Sequence, residues 1–348
     1  MANIQYHNPA GLVVGSVILW ILATLSVGLR FYSRVWKQQK FITSDWLILA
    51  SSVFGTGLTV LEIYAIATQA LAYPIGGSIE DPAAVSDRLN RTKYVEFNFL
   101  LLGIIGIGLL KLSVCFLYWE LFAKIIFRRF IIVWMVVIVL WTLAFFIELF
   151  AECGLQFLAL FAQVEDYAKH CKAAIPAGWA QAGTDVATDV VTLIIPIPVI
   201  LKLQMSRNVK ILTLLTFSIG VLSVAASAVK AYIYISATLN RYTDDAILTL
   251  TGVSIWNLAE LQIGTIAACG PTLRSILVRL VPSQSVVSLL ASWRRPTRQE
   301  ASEQSSNYVK MGESEERLGR TPTKGKSDVE REGSSNNPAS YELQSRVN

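Results

Sequence analysis

Seven times along the chain, apolar positions run on with neither the alternation of a strand nor the polar stripe of a soluble helix. The runs lie at about 11–29, 46–72, 95–119, 130–151, 177–201, 211–236 and 246–273. An α-helix needs roughly 20 mostly apolar residues to cross a bilayer, and these runs have that length. Continuous rather than alternating hydrophobicity argues against a transmembrane barrel. The pattern predicts an all-α membrane protein, a bundle of seven transmembrane helices. It stops near 281, and 299–348 are rich in Ser, Glu, Asn, Arg and Lys with almost no large apolar residue. Such a segment has too little apolar surface to offset the entropy of ordering. The expected organisation is an exterior N-terminus over 1–10, a seven-span domain over 11–280, and a largely disordered cytoplasmic tail over 281–348. Inside the tail, Val286, Val287, Leu289, Leu290 and Trp293 precede Arg294 and Arg295. That stretch reads equally as a helix lying on the inner leaflet or as a linker with a basic end.

Basic residues choose the orientation. Loops at 30–45, 120–129 and 202–210 hold Arg30, Arg34, Lys37, Lys40, Lys124, Arg128, Arg129, Lys202, Arg207 and Lys210. Loops at 73–94, 152–176 and 237–245 hold six basic residues, diluted by acids such as Glu80, Asp81, Glu165 and Asp244. The positive-inside rule therefore puts the N-terminus outside and the tail in the cytoplasm, with the plasma membrane as the expected location. The first span has no Lys or Arg before it, so it reads as a retained helix rather than a signal peptide. Composition agrees, with 53% apolar and 16% charged residues. The net charge of +5 then reports contact with the lipid bilayer, not nucleic-acid binding.

Charges at membrane depth are costly, and normally face a partner or a wet cavity. Lys111, Asp185, Asp189, Lys230 and Glu260 all fall within the runs. At about 1.5 Å per residue, Asp185 and Lys230 come out roughly 10 Å below the outer boundary, and Asp189, Glu260 and Lys111 at about 18–24 Å. Two layers of opposite charge are expected: Lys230 with Asp185, and Lys111 with Asp189 and Glu260. Asp185 and Asp189, four apart, share one helix face. These residues either fix helix register or line a buried polar core or ligand pocket. Glu62 joins the candidates at intermediate depth, whereas Glu148 and Glu152 read as ordinary edge charges that snorkel.

Cys153 and Cys171 fall at or beyond the outer end of span four, on the oxidising side, and predict a disulfide. Asn90-Arg91-Thr92 is a glycosylation sequon at Asn90, in a predicted outer loop. Pro196, Pro198 and Pro271 predict kinks at the inner ends of spans five and seven.

The chain resembles a known family, the fungal rhodopsin-domain proteins, over about residues 10–280. The motifs that carry the resemblance are Arg30-Phe31-Tyr32-Ser33-Arg34, Asp45-Trp46, Lys111-Leu112-Ser113 with Tyr118 and Leu121-Phe122, then Cys153 and Cys171. Thr188-Asp189, Pro196-Ile197-Pro198, Trp256, Glu260 and Cys269-Gly270-Pro271-Thr272-Leu273-Arg274 complete it. The resemblance implies a seven-span protein similar to G-protein-coupled receptors, with some members in secondary-metabolite gene clusters. The chain departs from the family pattern at Ser44, Glu120, Asp185 and Gly154-Leu155, where an acid, Arg, Asn and a proline are usual. Ten residues before span one leave no room for the eight-cysteine domain of some subgroups.

Opsins bind retinal through a lysine in span seven, and 246–273 has none, so no retinal is expected. The Asp-Arg-Tyr and Asn-Pro-x-x-Tyr motifs of animal receptors are missing too, so G-protein coupling is not assumed. Three functions fit the residues. The first is a receptor-like sensor of an unknown small molecule, whose tail would meet a cytoplasmic signalling partner. The second is an intramembrane cyclase or isomerase using a buried carboxyl as proton donor. The third is a proton-coupled carrier, although no repeat symmetry accompanies it. No nucleophile, metal or phosphate motif appears.

Overall fold

A computed structural model describes residues 8–73, 82–121, 124–154, 161, 171, 173–198, 207–239 and 246–280. The expectations for the tail and for Ser283–Trp293 fall outside the described residues. Among those residues, every regular element is helical. Seven helices follow in order: α1 (Pro9–Trp36), α2 (Thr43–Ala67), α3 (Pro82–Leu121), α4 (Ile125–Ala151), α5 (Ala174–Ile194), α6 (Arg207–Leu239) and α7 (Ala246–Leu280).

Local chemistry sets several helix ends. Asn8 caps α1, its side chain accepting from the Gly11 amide at 3.1 Å, and Pro9 fits the first turn because no amide is needed there. Asp45 caps α2 by accepting from the Ile42 amide at 3.1 Å. α4 ends just before Gly154, whose φ of 64° suits a residue without a Cβ. The Cys153–Cys171 disulfide, expected from the sequence, joins the end of α4 to the start of α5 and packs with Ala174.

Two helices outrun their apolar runs. α1 continues to Trp36, so Arg30 and Arg34 belong to a helix and not to the expected loop. α3 begins at Pro82, which turns much of the expected 73–94 loop into helix. Asn90 therefore lies in α3, and the Thr92 hydroxyl, buried, donates to Ala70 O at 2.9 Å. The loop placement on which the glycan at Asn90 depended is thus corrected.

Five helices are long and apolar enough to cross a membrane: α1, α2, α3, α4 and α6. α5 and α7 fall short because their buried faces are polar, carrying Asp185 and Thr188 on one, and Asn257, Glu260 and Gln262 on the other. The bundle is inside-out relative to a soluble protein. Leu140 is 60% exposed and Leu222 59%, while Arg30, Asp45 and Glu62 are each 0% exposed. Such a surface fits lipid, and α4, burying only Ile131, Ile138 and Leu149, is the most peripheral helix.

The largest pairings are α6 with α7 and α2 with α3, followed by α1 with α7 and α3 with α4. Val27, Ile48, Leu58, Phe99, Ile107, Leu258 and Leu261 form the principal apolar core. In lipid, close packing and interhelical hydrogen bonds hold helices together, because lipid tails are as apolar as leucine. Gly103 shows the requirement: a Cβ there would lie 2.5 Å from Asn257 Nδ2, so its absence lets α3 and α7 approach.

Candidate ligand cavity and buried charge network

Two lysines organise the polar interior. Lys111 on α3 reaches α5, where its Nζ donates to Asp185 Oδ1 at 2.7 Å and Thr188 Oγ1 at 2.8 Å. Asp189 Oδ1 is 2.9 Å away, and the Trp141 ring centroid lies 4.9 Å from the same nitrogen. Lys230 on α6 donates to Asp185 Oδ2 at 2.6 Å, to Glu260 Oε2 at 2.6 Å and to Asn257 Oδ1 at 3.0 Å. An ammonium has three protons, and each lysine has at least three acceptors for them. Asp185 gives one oxygen to each lysine, so a single network joins α3, α5, α6 and α7.

This corrects the expected separation into two layers. Asp189 does pair with Lys111, and Asp185 with Lys230, as depth predicted. Lys111 also takes Asp185, and Glu260 pairs with Lys230 instead of Lys111. The reason is reach: Asp185 and Asp189 are one turn apart, about 6 Å along the axis, and a lysine's four-carbon stem spans that distance.

The network is short of positive charge. Three carboxylates meet two ammoniums, and Asp189 Oδ2 and Glu260 Oε1 are buried with no hydrogen-bond partner. One oxygen from each of Asp185, Asp189 and Glu260 lies within 4.8 Å of the other two, a spacing suited to a cation. All three already give an oxygen to an ammonium. Glu62 stands apart from this network on α2. Neither of its oxygens has a hydrogen-bond partner, and the Ser254 hydroxyl facing it donates to Thr251 O at 3.1 Å.

Above the network, at the disulfide end of the bundle, lies a cavity of about 170 Å³ bounded by α3 to α7. Asp185, Lys230 and Asn257 contribute to its lining, with Phe99, Leu149 and Leu250 among the apolar residues. Glu96, Glu148 and Glu152 line it as well. Glu148 and Glu152 are therefore not ordinary edge charges: four residues apart, they share a face, and that face turns inward. Burial, with the Glu148 carboxylate nearby, pushes Glu152 up to about 7. Glu96, at the start of an apolar run, gave no sequence signal beyond its charge, and Tyr234 gave none.

At the opposite end of the bundle is a second polar cluster. Arg30 donates from Nε to Asp45 Oδ1, from Nη2 to Ser44 Oγ and from Nη1 to Ala268 O, each at 2.8 Å. Arg34 Nε lies 3.1 Å from Asp45 Oδ2, and Ser44 and Ser113 exchange hydroxyl contacts that tie in α3. Pro271, inside α7, cannot donate to the Ala267 carbonyl, which loosens the helix there. Arg30 binds the adjacent carbonyl. Motifs far apart in the chain thus meet in one knot.

A family model described as the fungal rhodopsin domain matches residues 29–279. The chain belongs to the fungal rhodopsin family. Its match reaches from the Arg30 knot to the end of α7 and takes in the whole lysine network. Among curated proteins, the chain is 27% identical over 269 residues to the polyenoic acids biosynthesis gene cluster protein Ba17b of Metarhizium anisopliae, covering 74% of this chain and 71% of the relative. It is 26% identical over 136 residues to Receptor GIN3 of Arthrobotrys oligospora, covering 38% of this chain and 32% of that receptor. No solved structure matches the chain.

Proposed function

We propose that this fungal rhodopsin-family protein is a seven-span, receptor-like sensor of a small molecule arriving from outside the cell. The observation that carries the reading is the cavity at the disulfide end, lined by Lys230 and Asp185 and continuous with the buried network. A guest that displaces Lys230 from Asp185 changes the pairing of Lys111 and Glu260 too, because Asp185 holds both lysines. That route connects the cavity to α3, α5, α6 and α7 at once. The asymmetry of basic residues supports an outside N-terminus, a cytoplasmic tail able to meet a signalling partner, and residence in the plasma membrane. Retinal plays no part in this reading, since span seven lacks a lysine and Lys111 and Lys230 are engaged in ion pairs. The names of the relatives, a receptor and a gene-cluster protein, support sensing of a metabolite.

The test uses the full chain in fungal cells with a cytoplasmic calcium reporter, challenged from outside with an organic extract of fungal culture medium. Wild type responds, whereas Lys230→Glu and a chain lacking 299–348 do not, at equal surface expression. A normal response from both variants overturns the reading.

A second reading is favoured by Glu62. A carboxyl buried without a partner suits a proton donor, which an intramembrane cyclase or isomerase would need. Microsomes given lipophilic pathway intermediates would then form product, and Glu62→Gln would abolish it.

A further inference from the structure

The sensing reading leaves the ligand unnamed, and the cavity wall supplies its chemistry. We propose that the cavity binds a small lipophilic amine. Its protonated nitrogen sits against Glu96, Glu148 and Glu152, and its apolar body lies along Phe99, Leu149 and Leu250. The inference rests on the reading of this cavity as a ligand site.

The charge count carries it. Four carboxylates line the cavity, those of Glu96, Glu148, Glu152 and Asp185, against the single ammonium of Lys230. Lys230 has no proton to spare, since its three go to Asp185, Glu260 and Asn257. Nor does an ion pair with a described residue neutralise Glu96, Glu148 or Glu152. Glu96 is half-buried and lines the cavity. Carboxylates crowded together and partly removed from water without a cation are costly, and a guest cation offsets that cost. A carboxylate-bearing guest would meet repulsion instead.

Size narrows the class. A cavity of about 150 Å³ admits a benzene-sized guest, so about 170 Å³ suits one aromatic ring with a short aminoalkyl arm. Phe99 and Tyr234 line the same cavity, offering aromatic contact to the guest and ring faces that attract a cation.

Three probes of nearly one shape separate charge from shape: phenethylamine, 2-phenylethanol and 3-phenylpropionate. Each is titrated into the full chain purified in detergent, with affinity read by isothermal calorimetry and thermal stability alongside. Phenethylamine is expected to bind at least tenfold more tightly than the alcohol, and the carboxylate not at all. In Glu148→Gln/Glu152→Gln the amine loses at least tenfold while the alcohol is unchanged. Stability without ligand should be equal or higher, since like charges have been removed. Amine affinity should also fall as pH drops through about 7, where Glu152 takes up a proton and its attraction is lost. Lys230, Asp185, Glu96, Glu148 and Tyr234 share that cavity, and the uncharged alcohol, titrated over the same pH range, reports any change in cavity shape that their titration causes. Tighter binding of the carboxylate, or an amine affinity unmoved in the double variant, overturns the proposal. If the double variant does not fold, the ranking of the three probes on wild type still decides. Amine binding without any cellular response would leave the ligand class standing and sink the sensing reading. A response to extract with no amine binding would do the reverse.

Discussion

The two polar clusters of this bundle are built on opposite terms. Around Arg30 the one carboxylate is held from both sides: Asp45 accepts from Arg30 and from the Ile42 amide and faces Arg34. Ser44 and Ser113 close on each other, Ala268 supplies a carbonyl, and the one buried atom there without a hydrogen bond is a donor, Arg34 Nε. Around Lys111 and Lys230 a third carboxylate is present, two buried oxygens have no partner, and a cavity adjoins. A cluster whose carboxylate is held by two guanidiniums has nothing to gain from a further cation and serves to fasten α1, α2, α3 and α7. An unmatched one gains from any cation or proton that enters, so it is the half where chemistry from outside can act.

Substitution should expose this contrast. Arg30→Met removes the guanidinium held wholly inside the knot and leaves buried Asp45 with Arg34 as its remaining cation and the Asp45 Oδ1, Ser44 and Ala268 acceptors without their donor. Loss of one partner of a buried pair costs about 3–5 kcal/mol, so most of the protein is expected to be lost from the membrane fraction on fluorescence-detected size exclusion. Glu260→Gln is the counterpart at the other cluster and the smaller effect. It leaves two carboxylates against two lysines, and the amide can still accept from Lys230. Thermal stability should change by no more than about 1 kcal/mol, on the order of one net hydrogen bond. Equal damage from both substitutions would dissolve the distinction between the clusters.

Much of this arrangement could be read from residue order, and the failures have physical causes. Long apolar runs marked the helices because lipid demands length and hydropathy, and the four-residue spacing of Asp185 and Asp189 placed both on one inward helix face. Arg30 was read as a loop residue because a cation just past an apolar run usually ends a span. Here the helix carries it inward, where Asp45 and Ser44 compensate its charge. The start of α3 was missed because its first turns, with Asp87, Arg88 and Arg91, look polar, although they are helical. Layering by depth failed because backbone position was taken for charge position, and lysine separates the two. Glu148 and Glu152 looked peripheral by depth alone. Their shared face was legible, but its inward rotation depends on how α4 packs against its neighbours, which residue order does not state.

The central claim is that opposite charges meet in one interior network. A thermal double-mutant cycle on Lys111→Met and Asp185→Asn tests it most directly. Direct contact predicts that each single substitution destabilises strongly and that the double is no worse than the worse single, with a coupling of about 1–3 kcal/mol. Additive losses, or single substitutions without effect, would contradict it and place these side chains apart.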